Sequence, residues 1–557
     1  MVLDYKDVSF SFRDRTRRRR RRLLWLLLLA LLGASGFIAF RSLQARAAVA
    51  RIEDLLLAGR TDEAGQRLQA AASPVFQRGN FRELRALTEL CRGRLPEAAS
   101  RFAELRRGGV ATSLRAGRML AHFFDHGEAE KLKVYADYLL PRGNDEVLWF
   151  HALSRAALLD ADAAEKSLAG LSTAYRRDNG KALGLLSRFI RSLRSGRIDY
   201  VFDRNDQPLA YFDLRRRSGR ALVPGMDFSP FEAQFKKGAS RFRLTLDGRM
   251  QRQVDRLFND YSGSLVLLDL PESAVTVAYS KPAAGRPADA AFSQAYEPGS
   301  IVKLITLLAF LRRGGAGIFP LECPGLLAVG GGIVYDLEKH GRVRDVSQAL
   351  ARSCNVSFAR MGKAAGAAAL TDMLQRFFFN GPGFRDQFCT FAAGRFAALS
   401  GADLPLANLA AGLDGITMTT VHASVLAAAI AQNGQHFPPY LIDDAKNILG
   451  LGFYRHAARP LRLLSDDLNF MRLRKAMAAV VEDEKGTGRR LRGTSPRLAI
   501  KTGTAPNPTG GLDAIIIGFL PYENPRYAFA FRLEGAGRAE LAGAALLQGL
   551  LKVLYPG

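Results

Sequence analysis

Leu23 to Phe40 is an eighteen-residue run without a charge, LLWLLLLALLGASGFIAF, and it starts directly after six consecutive arginines, Arg17–Arg22. At ~1.5 Å per helical residue, such a run crosses most of a ~30 Å hydrocarbon layer. Residues 1–22 hold nine Lys/Arg against Asp4, Asp7 and Asp14. Positive flanks stay on the cytoplasmic side of a membrane. The expectation is a basic cytoplasmic tail over 1–22, a single transmembrane helix over 23–40, and all chain beyond Arg41 on the outer side. The run exceeds the roughly 7–15 apolar residues of a signal peptide core. An uncleaved anchor is therefore expected, with cleavage at the small-x-small sequence Ala45-Arg46-Ala47 as the alternative. One span argues against transport.

A chain of 557 residues is too long for one ordinary domain, and its 48% apolar content can fill real cores. The formal charge of +26 suits an anionic partner. Nucleic acid is not expected, because the densest basic stretch abuts an apolar span and reads as a membrane flank. Cys91, Cys323, Cys354 and Cys389 are too few for a disulfide scaffold and lack zinc-knuckle spacing. Residues 45–195 show helical periodicity. Gly59, Gly93 and Gly127 are 34 residues apart, each in a turn after an apolar stretch, and Ala64 and Ala98 repeat the step. This spacing resembles tetratricopeptide repeats, two helices per repeat, stacked into a short solenoid with a concave face. An irregular helical spacer is the alternative. His122 and His126 lie four apart on a helix, but no third metal ligand accompanies them.

The character of the sequence changes near Arg197. IDYVFDRNDQPLAYF reads as strands around an Asn205-Asp206 turn, and LTLDGRMQRQVDRLFNDY as strand, turn and helix. SGSLVLLDLPESAVTVAYSKP predicts a β-hairpin. Glu297-Pro298-Gly299 then closes a turn, and a helix is predicted from Ser300. Lys303 follows at i+3, on the same helix face. A serine hydroxyl is a weak nucleophile that needs a base. A lysine can serve only if burial or a second cation lowers its pKa from ~10.4. Two more motifs follow in order: Ser353-Cys354-Asn355 after ALAR, and Lys501-Thr502-Gly503-Thr504, predicted at the end of the strand RLAIKTGTA.

Ser-x-x-Lys, Ser-x-Asn and Lys-Thr-Gly together are the signature of penicillin-binding proteins and serine β-lactamases. From about Leu244 to Gly557 the chain resembles a penicillin-binding protein transpeptidase domain. YEPGSIVKLIT is similar to the family's nucleophile segment. Cys323-Pro324-Gly325, His340-Gly341 and SQALARSCNVSFA are similar to the approach to its second motif, and Lys485-Gly486-Thr487-Gly488 to the turn before its third. RIDYVFDRNDQPLA resembles the start of the pedestal of monofunctional, class B members. Two departures stand out: the pedestal is short, and a helical repeat stands where members run straight from anchor to pedestal.

The resemblance implies a multidomain chain: anchor, all-α repeat over 45–195, short pedestal-like segment over 197–250, and an α/β transpeptidase-like domain over 251–557 with an antiparallel sheet flanked by helices. It implies a peptidoglycan D,D-transpeptidase of a bacterial inner membrane that also binds β-lactams and requires no metal or organic cofactor. Ser300 would attack the D-Ala-D-Ala carbonyl and Lys303 take its proton. Ser353 would relay a proton to the leaving amine, and Asn355 bind the substrate's amide side chain. The charge of Lys501 would lower the pKa of Lys303. Thr502, Gly503 and Thr504 would line the carboxylate site, with the N–H groups of Ser300 and Thr504 as oxyanion hole. The repeat would take an envelope partner, such as a glycan polymerase of the SEDS family, or anionic cell-wall polymer. The alternatives are a penicillin sensor or scaffold without turnover, and a D,D-carboxypeptidase or β-lactamase.

Overall fold

The computed structural model describes residues 40 and 42–556, apart from 71–77, 110–115, 159, 196–197, 214–215, 217, 237–238, 260, 282, 284–288, 316, 400–402, 449, 451 and 463–466. The basic tail over 1–22 and the apolar run over 23–40, except Phe40, lie outside the described residues. Among the described residues no helix is long and apolar enough to cross a membrane. The chain divides into two compact units, one through Arg194 and one from Ser195 to Gly557.

The first unit is helical throughout its described length. The three 34-spaced glycines share one conformation, with φ of +73°, +81° and +68° at Gly59, Gly93 and Gly127. At each, the glycine N–H reaches the carbonyl three residues back (Leu56, Leu90, Phe124). The next N–H reaches five back (Leu55, Glu89, Phe123). This helix ending needs a left-handed residue, and glycine adopts it without steric cost. Thr61–Ala70, Leu95–Arg107 and Ala129–Leu139 start just beyond these turns. Ala64, Ala98 and Leu132, at the matching places, are at most 1% exposed. The turn chemistry thus sets the period, and the buried residue at the same place after each turn packs the next helix into the core.

The second unit is built on an antiparallel five-stranded sheet in the order Ala499–Pro506, Leu512–Leu520, Tyr527–Leu533, Gly263–Asp269, Ala274–Lys281. The predicted hairpin supplies the last two strands, in register from Gly263↔Lys281 to Asp269↔Ala274. Leu512–Leu520 and Tyr527–Leu533 are buried on both faces. Thr420–Ala431 covers one face and Gly248–Phe258 with Ala542–Leu554 covers the other. All twelve residues of Thr420–Ala431 are buried, as expected of a helix apolar around its whole circumference. The Ala499–Pro506 strand is one of the two edges of this sheet.

A second, six-stranded sheet contains the strands predicted near residue 200, Ile198–Phe202 and Pro208–Asp213, together with Ser218–Ala221 and Ala239–Leu244. It differs from the sequence-based expectation in one respect. The pedestal-like segment is not confined to 197–250. Ile442–Asn447 pairs antiparallel with Ala239–Leu244, and Gly452–Arg455 extends the sheet beyond it. A strand pair from far along the chain therefore completes a sheet that the local segment cannot close alone.

Candidate active site

Ser300 lies on a single 3₁₀ turn, Gly299–Val302, that runs into the helix Lys303–Arg312. In a 3₁₀ turn side chains at i and i+3 eclipse. This stacks the Lys303 ammonium on the Ser300 hydroxyl, with Nζ 2.6 Å from Oγ. Two glycines allow the turn to sit against the Ala499–Pro506 edge of the sheet. A Cβ on Gly299 would stand 2.7 Å from the Thr504 carbonyl oxygen, and one on Gly503 would stand 2.6 Å from that of Pro298. The predicted end of the RLAIKTGTA strand is in fact its middle: Lys501 to Thr504 are inside Ala499–Pro506.

Lys303 is 0% exposed. Besides Ser300, its Nζ lies 2.9 Å from the Ser353 carbonyl oxygen, 3.2 Å from Ser353 Oγ and 2.6 Å from Asn355 Oδ1. Burial lowers its pKa to about 8, although the Asp336 carboxylate pulls the other way. A lysine this close to neutrality can accept a proton from the hydroxyl beside it.

Ser353 sits between the helices Val346–Ala351 and Asn355–Ala365 with φ +56°. Cys354 N–H bonds the Ala349 carbonyl, five residues back. This is the helix ending that uses glycine at Gly59, Gly93 and Gly127, here occupied by a serine. The left-handed turn aims Ser353 Oγ at both lysines, with Lys501 Nζ at 3.1 Å. Asn355 Nδ2 donates to the Tyr335 carbonyl at 2.8 Å. Its oxygen is thus held by Lys303, and one amide hydrogen is left for a substrate.

Lys501 is also 0% exposed. Burial pulls its pKa well below the ordinary lysine value, and the Lys303 charge pulls it further. Burial is the larger cause at both lysines, and the repulsion between the two ammonium groups is mutual, so each charge favours the neutral form of the other. Thr502 Oγ1 donates to Thr487 Oγ1 at 2.6 Å, and Thr504 Oγ1 accepts from Ala539 N–H at 3.4 Å. Ser300, Lys303, Ser353, Asn355, Lys501 and Thr502 thus meet in one network. The Thr504 hydroxyl is turned to its own neighbour.

Sequence reasoning missed three participants. Thr487 links the third motif to the second, because its N–H also bonds the Ala351 carbonyl at 3.0 Å. In sequence its turn reads only as a flank of the third motif. The Tyr335 carbonyl anchors Asn355. The Asp336 carboxylate accepts Val356 N–H at 3.3 Å and the Cys323 thiol at 3.5 Å. Burial would raise the Asp336 pKa, but the neighbouring His340 and Cys354 side chains and the Lys303 charge hold it at about 2. Cys323, Asp336 and Cys354 bring ligating atoms within 4.8 Å of one another, and among the described residues they are the group able to hold a metal ion. The Cys-Pro-Gly and His-Gly sequences had marked this place without revealing that it folds under the second motif. His122 and His126 pack their rings 4.1 Å apart and gather no third ligand among the described residues.

Residues 263–549 match the penicillin binding protein transpeptidase domain family, more than half of the chain. The chain belongs to this family. Penicillin-binding protein PbpB of Mycolicibacterium smegmatis is 26% identical over 384 residues, covering 61% of this chain and 57% of that protein. Peptidoglycan D,D-transpeptidase PbpA of Mycobacterium tuberculosis is 27% identical over 274 residues, covering 46% and 53%. The chain thus spans little more than half the length of these curated relatives. Penicillin-binding protein A of M. tuberculosis, solved as a ceftriaxone acyl-enzyme complex, superposes with a TM-score of 0.57 at 19% identity, over 64% of this chain and 98% of that one. The D,D-transpeptidase domain of a peptidoglycan glycosyltransferase from Eggerthella lenta gives 0.56 at 22%, over 65% and 99%. At these identities the superpositions show the fold alone. That fold is the transpeptidase-like α/β domain, preceded in this chain by a helical region.

Proposed function

We propose that this protein is a peptidoglycan D,D-transpeptidase that cross-links stem peptides through an acyl-enzyme on Ser300 and is acylated there by β-lactams. The observation that carries the reading is the buried Lys303 amine, bonded at once to Ser300, Ser353 and Asn355. Neutral Lys303 takes the Ser300 proton as Oγ bonds to the D-Ala-D-Ala carbonyl carbon. The N–H groups of Ser300 and Thr504 receive the oxyanion, worth ~3–4 kcal/mol per donor. The C–N bond then breaks, and the proton passes from Lys303 through Ser353 Oγ to the leaving amine. The substrate's terminal carboxylate, bound by Thr502, restores the charge of Lys501. An amine of a neighbouring stem peptide then attacks the ester carbonyl carbon; the new C–N bond replaces the C–Oγ bond, and the amine's proton passes through Ser353 and Lys303 to Ser300 Oγ.

Support for a single-pass bacterial inner-membrane protein with an outer catalytic domain comes from the arginine cluster and apolar run over 17–40. The 34-residue glycine period supports a tetratricopeptide-like repeat that docks an envelope partner, with a SEDS-family polymerase the first to test. The decisive experiment is labelled penicillin followed by mass spectrometry. A long-lived adduct on Ser300, lost in Ser300→Ala, is expected. Rapid release would indicate a β-lactamase, and no adduct would indicate a scaffold.

A further inference from the structure

The strands Leu326–Val329 and Gly332–Tyr335 form a hairpin in register from Leu326↔Tyr335 to Val329↔Gly332. Its turn is Gly330-Gly331, both at positive φ, the conformation of a tight two-residue connection. One face is packed: Val329 and Val334 join Ala359 and Ala407 in a core cluster, with Leu327 against it. A hairpin buried on one side normally turns polar residues to the other. This one does not. Residues 326–335 include no charged or amide side chain, and the opposite face presents Leu326 and Ile333, each 45% exposed, and Tyr335, 62% exposed. Leu337, two residues on, is 79% exposed. A contiguous apolar face of this kind marks a binding surface. Its backbone is tied to the reaction site, since the Tyr335 carbonyl holds the amide of Asn355, which holds Lys303.

We infer that this face binds the glycan strand of the peptidoglycan whose stem peptide enters the site, an inference that rests on the transpeptidase reading. A stem peptide of about five residues spans no more than ~17 Å, so the glycan bearing it must pass over surface bordering the site. Sugar rings pack their C–H faces on an aromatic ring and branched aliphatic side chains, and keep hydroxyl and N-acetyl groups in water. An uncharged face with one exposed tyrosine suits such a polymer.

The test uses the full chain in detergent, with purified peptidoglycan sacculi in a pelleting assay at salt high enough to screen surface charge. Labelled penicillin is the control for chemistry. Ile333→Ser with Leu337→Ser should pellet at least fivefold less protein than wild type while penicillin acylation stays within twofold. Glycan strands stripped of their peptides should compete with sacculi for the wild-type protein. Unchanged pelleting would overturn the inference, as would competition only by peptide-bearing fragments; a face serving a protein partner would give the first result. Should the double variant lose acylation as well, Leu337→Ser alone, in the exposed loop, decides the question by the same readout. Failure of the transpeptidase reading has a different signature, a wild-type protein that penicillin does not acylate.

Discussion

Ser353 occupies a backbone position built for glycine. A non-glycine residue at φ +56° costs about 1–2 kcal/mol. The chain bears this strain because only this turn directs the hydroxyl between Lys303 and Lys501. Ser353→Gly should therefore raise stability by about 1 kcal/mol, in the range of relief from a left-handed strain, while acylation falls. Thermal unfolding and penicillin labelling on the same samples check the pair of outcomes; lower stability in the glycine variant would refute the strain argument. Lys303 makes a second residue-scale prediction. Its folded pKa is lowered to about 8, so the free amine required for attack is scarce below that pH. Acylation should climb with pH by about tenfold per unit up to about pH 8, then level. A profile already flat at pH 6 would assign the proton to another group. Lys303→Ala should lose at least ~100-fold in acylation. The motif residues themselves were legible, because their order and types are chemical requirements. The strain at Ser353 and the anchoring of Asn355 by Tyr335 were not, because a dihedral angle and a main-chain acceptor leave no trace in residue identity.

Among the elements, legibility followed the regularity of the pattern. The hairpin at 263–281 and the strands at 512–533 are long apolar runs around turns, and the fold places strands there. The strand Ile442–Asn447 escaped because its sequence, IDDAKN, carries three charges. Its pairing also shifts register between Ile442 and Asp444 and again between Lys446 and Asn447, and bulges destroy the period-two signal. The Arg243 guanidinium answers two of those charges, lying 2.8 Å from carboxylate oxygens of both Asp443 and Asp444. The Ala499–Pro506 edge of the central sheet supports the element-scale prediction. Gly503 allows the Ala499–Pro506 strand to lie against the nucleophile turn, and a Cβ there would first meet the Pro298 carbonyl oxygen, which is backbone, and then the Ile301 side chain. Gly503→Ala must shift the strand away from Pro298, pulling Lys501 and Thr502 from their partners. The expected result is a folded protein with acylation reduced ~10²-fold, the scale of a 1 Å misplacement. Circular dichroism and penicillin labelling separate this from unfolding; normal acylation would show that the contact is not needed.

At the scale of the whole molecule, all groups of the Ser300 network lie in the unit from Ser195 to Gly557, and their hydrogen bonds close within it. The helical unit closes on its own core, in which Leu84, Leu87, Leu90, Met119, Leu120, Phe123 and Tyr135 are 0% exposed. The helical region was legible because three evenly spaced glycines end helices in one recurring turn conformation, whereas nothing in residue identity says what the surface of such a region holds. Two self-contained cores make separable tasks the physical expectation: chemistry in one unit, partner binding in the other. A chain beginning at Arg197 should therefore acylate penicillin at the rate of the full chain, within about twofold, since an intact oxyanion hole and base set the barrier. The same deletion in cells should impair cell-wall synthesis or mislocalise the protein, because stacked helix pairs present an extended surface suited to a partner. Slower acylation by the shortened chain would make the helical unit part of the catalytic machinery. Full function in cells would reduce it to a spacer between the N-terminal tail and the site.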